Sequence, residues 1–255
     1  PYKPKRKTRA SVAIAKGLEP LADILQAQSK DYVVATEAEK FITEEVPTVE
    51  EAIAGAKDIV AERISDNAEL RKELREIIAN KAFINCVLLE NENNLTYETY
   101  ANFKQEVKSL PSHRILAINR GEKEKCLKVD ITIDEKLTIP VIEKYYKKDN
   151  EDTNALIDEV IHDAYDRLLF PSLERECRNN LTDMADEQAI KMFEVNLRPL
   201  LMESPLKNNI IMGFDPGYHN GCKIAVIDKN GSVLDTTVVY PTPPQSKTEE
   251  SIEVL

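Results

Sequence analysis

The sequence has no tryptophan, seven glycines and three histidines in 255 residues. The histidines, His113, His162 and His219, have no Cys or His partner at ligand spacing. They offer no nucleophile–histidine–acid arrangement. Four cysteines, Cys86, Cys126, Cys177 and Cys222, include no CxxC pair. That spacing argues against a structural zinc site, and so few cysteines do not make a disulfide framework. They read as free thiols of a reducing, cytoplasmic protein. No run of 18 apolar residues occurs, so no membrane-spanning helix is expected. Pro1 to Ala10 is basic with no apolar region behind it, so no signal peptide is expected. Neither a bound metal nor a cofactor is expected.

Positive charge is also short. Lysine and arginine number 34 against 45 acidic residues, a net charge of −11. This argues against one broad nucleic-acid-binding face. The distribution is uneven, however. Lys3, Lys5, Arg6, Lys7 and Arg9 fall within the first nine residues, with no acid among them. These five are the candidate phosphate contacts. Tyr2 and two prolines are interleaved, as in an extended arm along a phosphate backbone. A solvated linker fits the same composition.

What is present is helical grammar. Hydrophobic residues make up 42% and charged residues 31%, enough for a packed core. Thr8 to Lys16 predicts a short helix ended by Gly17, since glycine accepts the left-handed cap conformation. Pro20 suits the first turn of the next helix. The pair outlines a helix–turn–helix, which we read as a plain hairpin because no basic second helix follows. Thr48 with Glu51 is a capping-box signal, and Asp66 with Glu69 repeats it. Ala82 to Leu89 is continuously apolar and fits a buried helix or a strand. Pro111 to Arg120 reads as a helix closed by Gly121. Cys126 to Ile133 alternates as a half-buried strand. From Asp152 to Ser204 long helices are expected, with Pro171 starting or kinking one. The stripe from Leu173 to Leu200 spans about 28 residues, roughly 40 Å at 1.5 Å per residue. Its charged residues Glu174, Arg175, Glu176 and Arg178 read as a solvated face.

The grammar changes at Asn208. Ile210 to Phe214 predicts a buried strand, Asp215-Pro216-Gly217 a turn, and Cys222 to Asp228 a second strand. Asn230-Gly231 is a hairpin signal before a third strand, Val233 to Tyr240. Ser246 to Leu255 begins a helix. The expected fold is mainly α, with a long spine helix and a small β element over residues 1–207. An incomplete α/β sheet domain follows over 208–255.

Asp215 is the sharpest candidate for chemistry. It ends a strand beside a glycine turn, where RNase H-like enzymes place a metal-holding acid. Two-metal chemistry needs several converging carboxylates, which would have to come from beyond Leu255. Asp215 is therefore a vestigial catalytic candidate at most, and the chain is not expected to be an enzyme. Asp215, Gly217, Gly221, Lys223 and Asp228 also fit the first phosphate loop of actin-like and sugar-kinase ATPases. A turn-capping aspartate fits as well. His219 reads as exposed, and Asp228 as serving only its turn.

Five blocks carry a family resemblance. PYKPKRKTRA with GLEPLAD, PSHRILAINRGEKE, FPSLERECRNNLTDMADEQAI, GFDPGYHNGCKIAVID and TVVYPTPPQ resemble, in this order, the Tex transcription-accessory proteins. The resemblance implies a helical region followed by the start of a YqgF domain of RNase H-like fold. It implies a scaffold that binds RNA or DNA in the whole protein and engages the transcription machinery. Helix-hairpin-helix units and an OB-fold domain would lie outside this chain. Two positions depart from the family pattern: Tyr218-His219-Asn220 replaces an aromatic-Arg-Thr triplet, and Thr242 replaces a histidine between prolines. The alternatives are a metal-dependent RNase H-like nuclease or resolvase, and an actin-like ATPase.

Overall fold

The computed structural model describes residues 7–30, 33–90, 94–148, 150–204, 206–217 and 219–255. Lys3, Lys5 and Arg6 of the basic start lie outside the described residues. The chain forms two compact units, Pro1–Phe193 and Glu194–Leu255, and the division falls inside one long helix.

The first unit opens with α1 (Arg9–Ala15). The Thr8 hydroxyl accepts from the Ser11 amide at 3.0 Å, and the Thr8 amide donates to the Ser11 hydroxyl at 2.8 Å. This reciprocal cap satisfies two amides that the first turn leaves free. Gly17, at φ +78°, ends the turn region before α2 (Glu19–Ala27), with Pro20 in its first turn. A short α3 (Val34–Ala38) precedes α4 (Val49–Asp66), where Thr48 Oγ1 accepts from the Glu51 amide at 3.2 Å. The next helix, α5 (Ala68–Lys81), is capped by Asn67, not by Asp66 as the Asp66/Glu69 signal suggests. Asp66 is still the last residue of α4, so the neighbouring side chain, Asn67 Oδ1, takes the Leu70 amide at 3.1 Å.

The continuously apolar stretch resolves as a strand, β1 (Phe83–Leu88). It is the centre of an antiparallel sheet with β2 (Asn102–Glu106) and β3 (Leu127–Thr132) on its two sides. Ile84 and Cys86 face the core while Val87 is exposed, so only one face of the strand is buried. Between β2 and β3 runs α6 (Ser112–Lys123). Gly121 does not close this helix but lies inside it. A Cβ there would stand 2.6 Å from Leu127 Cδ1 and 3.0 Å from Tyr97 Cδ1. The glycine allows close approach of helix and strand; it is not a terminator.

After α7 (Ile139–Tyr146) and α8 (Glu151–Asp163), the helix widens into a π turn over Ala164–Leu169. It then continues as α9 (Phe170–Leu201), 32 residues long. Pro171 stands in the first turn of α9, as its start signal suggests, and the chain enters it from the π turn without a break. The π turn adapts the hydrogen-bond ladder immediately before it, where the proline nitrogen cannot donate.

The core is arranged around α4. Ala52, Ala56, Ile59, Val60, Ala61 and Ile64 are all buried, with α1, α2, α3 and α8 packed about them. Gly55 marks the tightest approach: a Cβ there would fall 2.4 Å from Leu18 Cδ1 and 3.3 Å from Ala13 Cβ.

The second unit holds β4 (Ile211–Asp215), β5 (Cys222–Ile227) and β6 (Val233–Val239) in one antiparallel sheet, in that order. α10 (Thr248–Val254) packs beside β6. Cys222, Ile224 and Val239 form a small buried cluster on one face. The first strand was expected to be buried; instead Met212 is 54% and Phe214 50% exposed. It is an edge strand, and within this unit the buried cluster draws only on β5 and β6.

Replacing Gly55 or Gly121 by valine is expected to destabilise the protein by about 1–3 kcal/mol each, the range for overpacking a filled site. Urea unfolding monitored by circular dichroism checks this, and a stability equal to wild type would remove the close-approach argument.

Candidate nucleic-acid interface

Of the five basic candidates, the described residues include Lys7 and Arg9, and both are exposed. Arg9 is the first residue of α1, and the cap that starts this helix also docks it on α4: Thr8 Oγ1 donates to Glu62 Oε2 at 3.2 Å. Arg9 acts electrostatically on two carboxylates of this region. Burial holds the Asp58 carboxyl above its ordinary value, against the smaller opposing pull of Arg167 and then Arg9. Hydrogen bonding to Arg167 holds Asp163 below its ordinary value, with Arg9 adding to the effect. Arg167 Nη2 reaches Asp58 Oδ1 at 2.9 Å and also pairs with Asp163. A phosphate approaching Arg9 would therefore compete with carboxylates already in place.

The α1–α2 pair is a helical hairpin whose second helix is acidic on its outer side. Arg63 of α4 donates to Asp23 Oδ1 at 2.6 Å, to Gln26 Oε1 at 3.0 Å and to Glu19 Oε1 at 3.3 Å. A helix that presents two carboxylates does not suit a DNA backbone.

Asp215 ends β4 and is exposed, directly across from Lys223 of β5. Gly213, Ala225, Thr236 and Val238 share its part of the sheet, and together they bound an open concavity of about 580 Å³. The following turn depends on its glycines. A Cβ on Gly217 would lie 2.4 Å from the Gly221 carbonyl oxygen. Gly221 sits at φ +79° against the side chains of Val238 and Tyr240. His219 is exposed, and its carbonyl accepts from Gln245 Nε2 at 3.4 Å. Among the described residues no three His, Cys, Asp or Glu side chains converge as a metal site would require. Asp215 is therefore not part of such a group.

Asp228 has a defined structural role. Its Oδ1 accepts from the Asn230 and Ser232 amides, both at 2.8 Å, and so shapes the turn between β5 and β6. These bonds, Ser232 first, hold its carboxyl below the ordinary 3.8.

The charged residues of α9, read as solvated, are largely engaged. Glu174 Oε1 accepts from the Ile131 amide of β3 at 3.0 Å. Glu176 pairs with Arg75 Nε at 2.7 Å, and Arg178 Nη2 with Glu122 Oε2 at 2.5 Å. Arg175 alone of the four is exposed. Sequence spacing does not separate a solvated charge from one paired across elements, so no signal marked them.

A family model described as Tex central region-like matches residues 30–193, and one described as Tex protein YqgF-like domain matches residues 209–255. The chain is 43% identical over 99% of its length to protein YdcI of Bacillus subtilis, covering 36% of that protein. It is 34% identical over 94% of its length to the transcriptional accessory protein Tex of Neisseria gonorrhoeae, covering 33% of it. With the human S1 RNA-binding domain-containing protein 1 it shares 29% identity over 76% of its length, covering 21% of that protein. The chain thus spans about a third of the length of the bacterial relatives. No helix among the described residues is long and apolar enough to cross a membrane.

The Asp228 turn makes a pH prediction. A carboxyl depressed in the folded state stabilises it fully above the unfolded value, and the gain is lost as pH falls through the folded value. Asp228→Asn is therefore expected to lower the melting temperature at neutral pH, with the gap to wild type closing well below pH 3.8. Thermal unfolding across pH checks this, and a gap independent of pH would contradict it.

Two family matches in sequence order, together with more than 30% identity to bacterial relatives over nearly the whole chain, show that this chain belongs to the Tex family.

Proposed function

We propose that the protein is a non-enzymatic transcription accessory scaffold of the cytoplasm. It engages RNA or DNA and works alongside the transcription machinery. The observation that carries this reading is the 34% identity, over 94% of the chain, to a protein named for transcriptional accessory function. The RNA-binding S1 domain in the name of the human relative supports the nucleic-acid part. In this chain the basic start, Lys3, Lys5, Arg6, Lys7 and Arg9, is the proposed contact. Its four residues ahead of α1 would contribute most, because Arg9 already interacts electrostatically with Asp58 and Asp163.

Fluorescence anisotropy with single-stranded RNA and DNA across a salt series tests this. Each phosphate neutralised on a single strand contributes about 0.7 to the slope of log affinity against log salt. Reversing Lys5, Arg6 and Lys7 to glutamate is expected to reduce that slope by about 2 and to weaken binding at low salt. Unchanged affinity would remove the arm as a contact. Asp215→Asn is expected to leave binding unchanged, and a large loss would favour the nuclease reading.

A further inference from the structure

Between α5 and α9, within the first unit, lies a groove of about 220 Å³ that the Tex assignment leaves without a role. Its floor and walls are Ile78, Ala79, Val107, Leu173, Leu181 and Met184, with Cys177 between them. Burial pushes the Cys177 thiol up, so it serves as an apolar wall. Met184, at the groove's edge, is 41% exposed.

The charged residues that line the groove are Arg75 and Lys108, and both are cations. Arg75 already holds Glu176 at 2.7 Å. Glu176 compensates Arg75, so the charge left over at this groove is that of Lys108. Lys108 is exposed and has no ion pair among the described residues. The volume is below the roughly 300–1,000 Å³ of a site that encloses a whole small molecule. It suits instead one or two apolar anchor side chains of a partner laid across two helices.

We propose that this groove docks an acidic amphipathic helix of a partner protein. Two leucine-type anchors, at i and i+3 or i+4, would fill the trough. A carboxylate at its border would pair with Lys108 and add to the field at Arg75. Met184 suits such a role, because its flexible thioether adapts to differently shaped anchors. The proposal is independent of nucleic-acid binding.

The test uses the whole protein and a labelled 16-residue helical peptide with leucine at the anchor spacing and glutamate elsewhere. A twin peptide carries lysine in place of glutamate. Anisotropy is expected to show saturable binding of the glutamate peptide and at least tenfold weaker binding of the lysine twin. Lys108→Glu and, separately, Met184→Asp are each expected to weaken the glutamate peptide at least fivefold with an unchanged melting temperature. Both positions are partly or fully exposed, so folding should be retained, and Lys108→Ala serves if the reversal lowers stability. Absence of saturable binding, preference for the lysine twin, or indifference to all three substitutions would overturn the proposal.

Discussion

Close approach to α4 is the constraint on which the first unit depends. Helices normally pack with axes 8–10 Å apart, and side-chain size at the contact sets the distance. Here Gly55 of α4 meets Ala13 of α1, and Ala10 of α1 and Ala52 and Ala56 of α4 are small and buried. They let the α1–α2 turn settle so that Leu18 fills the space where a Cβ on residue 55 would stand. Leu21 and Leu25 of α2 are then fully buried. Ion pairs rim this packing: Arg63 with Glu19 and Asp23, Lys57 with Glu159, and Arg167 with Asp58. Such pairs contribute about 0–1 kcal/mol when exposed, so they orient the helices more than they hold them. Filling with alanine, leucine and isoleucine does the holding, at roughly 25 cal/mol per Å² of apolar surface buried.

The spine helix follows the same division of labour. Leu173, Leu181 and Ala185 give it a narrow apolar seam. Polar contacts then fix its rotation: Asn119 donates to Thr182 Oγ1 at 2.9 Å, and Arg71 to Ser172 Oγ at 2.8 Å. The Glu174 bond to the Ile131 amide does more. β3 is an edge of the first sheet, and an edge amide left free invites pairing with another chain. A carboxylate from α9 occupies that amide. A buried polar clamp also joins the end of α2 to the segment after α7. Gln28, in the left-handed region at φ +49°, donates to the Tyr146 carbonyl at 2.6 Å and accepts from the Lys148 amide at 3.0 Å.

Local signals in the sequence were sound where one residue decides. Gly17, Pro20 and Thr48 each fix a helix end through their own backbone or hydroxyl chemistry, and each stands where expected, whereas Thr8, read as the first helical residue, is the cap instead. Alternation over Cys126 to Ile133 marked β3, because a period of two is a property of the strand itself. Where an outcome depends on a distant partner, the sequence was silent or misleading. Gly121 resembled a terminator because glycine gives the same letter for a left-handed turn and for close packing. Met212 and Phe214 looked buried, yet hydrophobic character states only what a strand can bury, not what covers it. Asp215 was placed correctly at the end of a strand, but whether other carboxylates meet it is a matter of tertiary geometry. The groove of Arg75 and Lys108 was invisible, since its walls come from segments about a hundred residues apart.

Native-state hydrogen exchange tests the central role of α4 most directly. If close packing on this helix holds the first unit together, the amides of Ile59, Val60 and Ala61 should exchange only through global unfolding of that unit, with the largest opening free energy measured there. Exchange of these amides as fast as that of the edge strand β4, through local opening, would contradict the account.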